Sequence, residues 1–325
     1  MYGMENDIKI LTIAIPTYNR IEQIQKQVRL LLPQLVSEVK LVVYDNHSDI
    51  CISDLFTDDE LRQFTIIRNN INIGGDANIA RCFENCETKW LWTLSDDDWA
   101  QKGSIDKILK YIKQNQDKTF INFWSPVEYI TENSEQLLRF LSRGDVFCSA
   151  FTMSACVYNM EILRDDLYFY YRNLSSMVGT LIMLIKNVIR TNGKCVWLND
   201  LPVELGADVG WNYGDFINYS FLFIYAFDKK KVYEKNIFIG LYKTDYSLIA
   251  GNRLSSNISW IHRFSLFCKV SRMQGVFNAL RYCTKEYIVC MILLLTNDRV
   301  KPIVAKYKSQ CFFCARKRNT TIEKL

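Results

Sequence analysis

The sequence predicts an α/β chain: a mostly parallel sheet with helices on both faces, followed by a largely helical C-terminal region. Apolar runs of strand length alternate with amphipathic stretches through the first third of the chain. Of the 325 residues, 49% are hydrophobic and 23% charged, enough apolar material to cover a sheet on two sides. Several strand-like runs end abruptly in polar segments, the pattern of strands whose carboxyl ends feed functional loops.

Each element has its own justification. Residues 9–15 (KILTIAI) are β-rich and stop at Pro16, and residues 20–32 have helical spacing through Ile24, Val28, Leu31 and Leu32. Residues 39–44 (VKLVVY) form a second strand closed by Asp45, and residues 64–67 a short third one. Residues 76–86 are helical, 89–94 (KWLWTL) a fourth strand ending in acid, 103–113 helical, and 119–124 a fifth strand. Later, residues 146–158 have strand character, 175–190 and 211–227 helical character, and 256–295 a long helical period through Ile258, Ile261, Phe264, Phe267, Val270 and Met273. No repeat or low-complexity linker intervenes. The organisation that follows is a core over residues 1–125, a second half of the same domain over 126–255, and a basic helical region over 256–325.

Composition narrows the function. A net charge of +5, with acids and bases interleaved, does not suggest nucleic-acid binding. Eleven cysteines at irregular spacing, with no basic-then-apolar leader after Met1, suit reduced thiols in a cytoplasmic protein. The lone Cys311/Cys314 pair lacks a second pair, and His47 and His262 are the chain's two histidines, so a zinc site is not expected. The longest apolar run, residues 288–295, is far short of the ~20 residues that cross a bilayer. Between Arg299 and Arg318 lie seven basic residues and no acidic one, interleaved with Ile303, Val304, Tyr307, Phe312 and Phe313. This is either a solvated end or an adhesive for an anionic membrane surface, where each cation contributes ~1 kcal/mol.

Ser95-Asp96-Asp97-Asp98-Trp99 follows the fourth strand directly. Adjacent carboxylates repel, and a hard divalent cation, Mg²⁺ or Mn²⁺, would compensate by bridging one or two of them to the phosphates of a substrate. Helix capping also favours Asp, but capping needs one and not three.

Four segments in order then carry a family resemblance. Residues 12–20 (TIAIPTYNR), 42–49 (VVYDNHSD), 70–75 (NINIGG) with Asn78 and Arg81, and 94–99 (LSDDDW) resemble the opening strand, second strand end, Asn-x-Gly segment and Asp-x-Asp motif of family 2 glycosyltransferases of the Rossmann-like GT-A fold, over roughly residues 8–125. The resemblance implies an enzyme moving a sugar, with inversion, from a nucleoside-diphosphate donor. Pro16, Thr17, Tyr18 and Arg20 would line the nucleotide pocket, Asp45 would accept from the base with Asn46 beside it, and Asp96 would contact ribose or support the metal. Asp97, with Asp98, would hold Mn²⁺ or Mg²⁺ on the diphosphate. Ser95 stands where the family often has Asp, which leaves open which pair of the triplet works. Asp45 is otherwise a turn-forming residue.

An inverting transfer needs a base for the acceptor hydroxyl. By residue type the candidates are Asp145, Asp200, Glu204, Asp208 and Asp215, and Asp208 is preferred for its Gly-bracketed, aromatic-flanked setting in residues 204–211 (ELGADVGW). The motifs look most like the branch of bacterial O-antigen and capsule enzymes that includes abequosyltransferases, which implies a glycan or polyprenyl-diphosphate-linked acceptor at the cytoplasmic face of the inner membrane. A polyprenyl-phosphate sugar synthase would differ only in acceptor. A catalytically inactive glycan- or membrane-binding protein of the same fold would have no reason to keep Asp45 and the triplet together, and a nucleotidyltransferase would need a Gly-rich loop that residues 16–20 lack.

Overall fold

Seven residues, Leu11–Thr17 (β1), form the strand around which the fold is organised. Leu11, Ile13, Ala14 and Ile15 have no exposed surface, as expected of a central strand covered on both faces. The computed structural model describes residues 9–206 and 226–227, all within the first of two compact units, Met1–Leu254 and Ser255–Leu325.

On one side β1 pairs in parallel with Val39–Asp45 (β2), in register from Leu11 against Val39 to Thr17 against Asp45, and β2 pairs in parallel with Thr65–Arg68 (β3). On the other side it pairs in parallel with Trp90–Thr93 (β4). Trp99–Ala100 (β5) leads out of the acidic turn, and Phe120–Asn122 (β6), Trp124–Thr131 (β7), Cys156–Asn159 (β8), Cys195–Asn199 (β9) and Val203–Glu204 (β10) follow. The main sheet runs β3-β2-β1-β4-β8-β6-β9-β7, and β10 and β5 form a separate antiparallel ribbon. The sheet is mostly parallel, as expected, but β8 enters antiparallel between β4 and β6, and β7 lies antiparallel on β9.

Helices cover both faces. Ile21–Leu31 (α1) buries Ile24, Gln27, Val28 and Leu31. After the single turn Asp58–Leu61 (α2) and then Gly75–Glu84 (α3), Ser104–Gln114 (α4) buries Ile105, Ile108, Leu109 and Ile112. This i, i+3, i+4, i+7 spacing builds one apolar stripe per helix. The stripes of α1 and α4 join Leu11, Ile13, Ile15, Val43, Trp90 and Trp92 in one core cluster, each aliphatic side chain contributing ~1.5–3 kcal/mol over its exposed state. On the opposite face α3 packs against β1 and β2. Its Phe83 meets Tyr158 and Tyr170 edge-on at 4.9 and 5.6 Å.

The second half departs from expectation in one stretch. Residues 146–158 are not one strand: Ser134–Leu141 (α5) is followed by a second helix, Gly144–Phe151 (α6), and β8 begins only at Cys156. Val146, Phe147 and Ala150 are buried at i, i+1 and i+4, a helical face that β-branched and aromatic composition disguises as strand. Met160–Leu163 (α7), Leu167–Tyr171 (α8) and Gly179–Thr191 (α9) complete the described helices. The expected helices over 211–227 and 256–295, Asp208, Asp215, His262, the 311/314 cysteine pair and the basic tail fall outside the described residues, apart from Ala226 and Phe227. The described cysteines are all free thiols, and no helix among the described residues is long and apolar enough to cross a membrane.

Candidate active site

From β1 the chain moves outward to β2 and β3, then α3 carries it back across to β4 on the other flank of β1. The strand order therefore reverses between β1 and β4, the place where open α/β sheets form their ligand crevice, beyond the carboxyl ends of the strands. The loop after β1 and the acidic turn after β4 meet there. The Thr17 hydroxyl donates to Asp96 Oδ2 at 2.7 Å. One Arg20 guanidinium nitrogen bridges Asp96 Oδ1 at 3.2 Å and Asp97 Oδ2 at 2.6 Å. Burial pushes the Asp96 carboxyl up to about 6, against the hydrogen bond from Thr17 and the charge of Arg20, which favour its ionised form. Burial also works against the Arg20 charge, but the hydrogen bonds and charges of Asp97 and Asp96 outweigh it and raise its pKa.

Asp98 sits differently. Its Oδ2 accepts from the Ser154 hydroxyl at 2.6 Å and its Oδ1 from the Gly206 backbone N–H at 2.9 Å. Burial again raises its pKa. Gly206 is required at this contact, because a Cβ there would lie 2.1 Å from the Asp97 carbonyl oxygen.

The loop after β2 is welded to both neighbours. Asn19, in the left-handed region at φ 54°, receives the Asp49 N–H at 2.8 Å and donates to the Asp49 carboxylate at 3.1 Å. Asp45 is fully covered: Oδ1 accepts from Ser48 N–H at 2.9 Å in a local turn, and Oδ2 accepts from Arg68. Contact with a bound base therefore requires Arg68 to give way. Asn46 is also buried, its Oδ1 accepting from Asn69 and from Ile73 N–H at 3.0 Å, while Asn78 donates to the Tyr44 carbonyl at 2.8 Å. This asparagine network fastens residues 69–78 to β2, and Gly74 at φ 86° opens α3 in a conformation that L side chains rarely adopt. Tyr18 stands 42% exposed in the acidic turn's partner loop, and Pro16 lies opposite Tyr44 one pair before the end of the β1–β2 register.

Residues 12–174, half the chain, match the family model described as Glycosyl transferase family 2. The chain is a family 2 glycosyltransferase. A curated relative, an uncharacterized glycosyltransferase of Haemophilus influenzae (strain ATCC 51907 / DSM 11121 / KW20 / Rd), is 26% identical over 125 residues, 38% of this chain, and the match spans only 41% of the relative's length. Among solved structures, Staphylococcus aureus TarS residues 1–349 superimposes with a TM-score of 0.58 at 14% identity, covering 82% of this chain and 81% of that one. The same fragment in complex with UDP-GlcNAc gives 0.55 at 12% identity, covering 82% and 81%. The mannosyltransferase PcManGT of Pyrobaculum calidifontis, in complex with GDP-Man and Mn²⁺, gives 0.52 at 10% identity, covering 86% and 87%. These likenesses establish the GT-A fold.

The described part of the glycosyltransferase thus brings Thr17, Arg20, Asp96 and Asp97 together, engages Asp98 with Ser154 and Gly206, and covers Asp45. Two candidate bases are tied up: Asp145 pairs with Arg143 at 3.0 Å and Asp200 with Lys107 at 2.5 Å. Glu204 lies exposed on β10 opposite Trp99. Among the described residues no group of three or more His, Cys, Asp or Glu converges as a metal cage. Asp96 and Asp97 nevertheless share one cationic nitrogen, so their oxygens are close enough to share a cation, and two carboxylates completed by substrate phosphates is how Mg²⁺ is usually held. That donor set fits a hard divalent cation. Sequence reasoning missed Gln27, Arg68, Ser154 and Gly206. Only Gln27 left a signal, a polar residue in the apolar stripe of α1.

Proposed function

We propose that this glycosyltransferase takes its sugar from a nucleoside-diphosphate donor whose diphosphate lies over Asp96, Asp97 and Arg20, and passes it to a glycan or polyprenyl-diphosphate-linked oligosaccharide in bacterial surface polysaccharide synthesis. The convergence of Thr17, Arg20, Asp96 and Asp97 at the reversal point between β1 and β4 carries this reading. The donors present in the TarS and PcManGT structures support it.

Asp97 and Asp96 would hold Mn²⁺ or Mg²⁺, which when bound offsets the charge that builds on the departing diphosphate. Asp98, with both oxygens engaged, holds the turn itself. Arg20 is a fixed positive charge beside the leaving group and needs no reorganisation as the sugar–oxygen bond breaks. Pro16, Thr17 and Tyr18 border the nucleotide on one side, and Asn46, Asp45 and Arg68 shape the pocket on the other. The acceptor oxygen attacks the anomeric carbon from the face opposite the diphosphate and gives its proton to a carboxylate, for which Asp208 is our assignment. In the sequence Asp208 follows by two residues Gly206, whose N–H touches Asp98. The basic residues between Arg299 and Arg318 would adhere to the anionic cytoplasmic face of the inner membrane, where a polyprenyl-linked acceptor resides.

The test is a thermal-shift screen of UDP-, GDP-, CDP- and dTDP-sugars with Mn²⁺, followed by turnover with and without EDTA. One donor should raise the melting point by binding only the native form, and EDTA should abolish turnover. No stabilisation by any donor, or turnover undiminished by EDTA, overturns the reading.

A further inference from the structure

We propose that Gln27 is a positioning residue that sets the geometry of the acidic turn from behind, an inference that rests on the turn being the donor–cation site. Gln27 lies on the inner face of α1 between Ile24 and Leu31 and has no exposed surface. Packing does not explain an amide there: its neighbours on the stripe, Ile24, Val28 and Leu31, are apolar, and a buried amide is costly unless every polar atom is paired. All of them are paired, and all to one short segment. Nε2 donates to the Ser95 carbonyl at 3.2 Å and to the Asp98 carbonyl at 2.6 Å, and Oε1 accepts from the Ala100 N–H at 3.1 Å. The Ala100 donor fixes which end of the amide is oxygen.

These bonds clamp the backbone on either side of Asp96 and Asp97. Arg20, seven residues earlier at the start of the same helix, grips the two carboxylates from the front. Seven residues of helix, about two turns and ~10.5 Å of rise, separate the two grips. The separation of the Asp96 and Asp97 oxygens is thereby set by a rigid helix and not by the loop's own preferences. Pre-organisation of this kind decides whether two carboxylates bind a cation tightly or loosely.

The experiment compares wild type with Gln27→Met, which keeps length and volume but cannot hydrogen-bond, and Gln27→Glu, which keeps the acceptor for Ala100 and turns a carboxylate oxygen on the two carbonyls. Two quantities are measured on the full chain: amide hydrogen exchange across residues 90–105, and the Kd for Mn²⁺ in the presence of UDP and, separately, GDP. Gln27→Met should accelerate exchange at Ala100 and the turn while β1, β2 and β4 stay protected, and should weaken Mn²⁺ by about tenfold or more, the usual cost of losing a partner that orients a metal ligand. Gln27→Glu, the variant that retains polarity in the buried position, should weaken it at least as much and serves if the methionine variant fails to fold. Unchanged exchange at Ala100, or unchanged Mn²⁺ affinity with exchange altered, overturns the role of Gln27. A wild-type protein that binds no Mn²⁺ with either nucleotide overturns the cation site instead, and local exchange at Ala100 then decides on its own whether Gln27 fixes the turn.

Discussion

Asp97→Ala and Asp98→Ala, adjacent and chemically identical changes, should fail in opposite ways. Asp98 accepts the Ser154 hydroxyl at 2.6 Å and the Gly206 N–H at 2.9 Å. A hydrogen bond to a charged group is worth roughly 1.5–3 kcal/mol, and removing one partner leaves the other unsatisfied. Ser154 keeps a second bond, accepting from Ser95 N–H at 2.9 Å, but the Gly206 N–H loses its acceptor on the turn. Relief of Asp98's own burial penalty offsets part of the loss, so the net cost is about 3 kcal/mol. In a domain of this size that lowers Tm by roughly 6–10 °C. Asp97 is anchored only at the crevice, by Ser95 and by an Arg20 that stays paired with Asp96. Its loss costs at most about 1 kcal/mol, further reduced because a like charge beside Asp96 disappears. Turnover is another matter: removing a group that stabilises the departing charge typically costs on the order of 100-fold or more in rate. The assay is thermal unfolding of both variants beside release of nucleoside diphosphate, normalised to folded protein. Should Asp98→Ala melt with wild type while Asp97→Ala unfolds, the division of labour drawn here is wrong.

Two further substitutions test the frame of the site. Arg68→Met strips the fully covered Asp45 carboxylate of its cation and should destabilise by roughly 3 kcal/mol; adding Asp45→Asn should recover part of that in urea unfolding, and additive losses would refute the pairing. Asp76 in the first turn of α3 is pushed up to about 6 by burial. Its carboxyl is therefore favoured protonated in the fold, so its stabilising contribution is complete below its unfolded value near ~4 and is lost as pH rises through about 6. Asp76→Asn should raise Tm at pH 8, by up to the equivalent of ~2 kcal/mol, and leave it unchanged at pH 4. A gain independent of pH would refute the linkage.

What the sequence disclosed and what it hid divide along physical lines. The strands β1, β2 and β4 and the helices α1 and α4 were legible because local periodicity specifies them: each needs only its own stripe or run to be buried. The convergence of residues 16–20 with 95–98 was legible because strand ends in an open sheet lie on one edge. Telling Asp97 from Asp98 was not, since the groups that separate them, Ser154 and Gly206, lie 56 and 108 residues beyond Asp98. Asp45 was ambiguous for the same reason. Its local turn with Ser48 is visible in the sequence, and its ion pair with Arg68, 23 residues on, is not. The strand expected over 146–158 failed because eight residues rich in Val, Phe and Cys satisfy either period, and tertiary packing chose the helix.

The reversed strand β8 has an outcome for protein engineers. By running against its neighbours it delivers Ser154, just ahead of its first residue, to the far tip of β4, and it shields the whole flank of that strand. A fragment cut at residue 125 would keep every recognisable donor motif yet expose the edge formed by Trp90, Leu91 and Trp92 and lose the hydroxyl that steadies Asp98. Grafting or expressing the nucleotide half in isolation should therefore yield an aggregating sheet, and any minimal version must reach at least through Asn159.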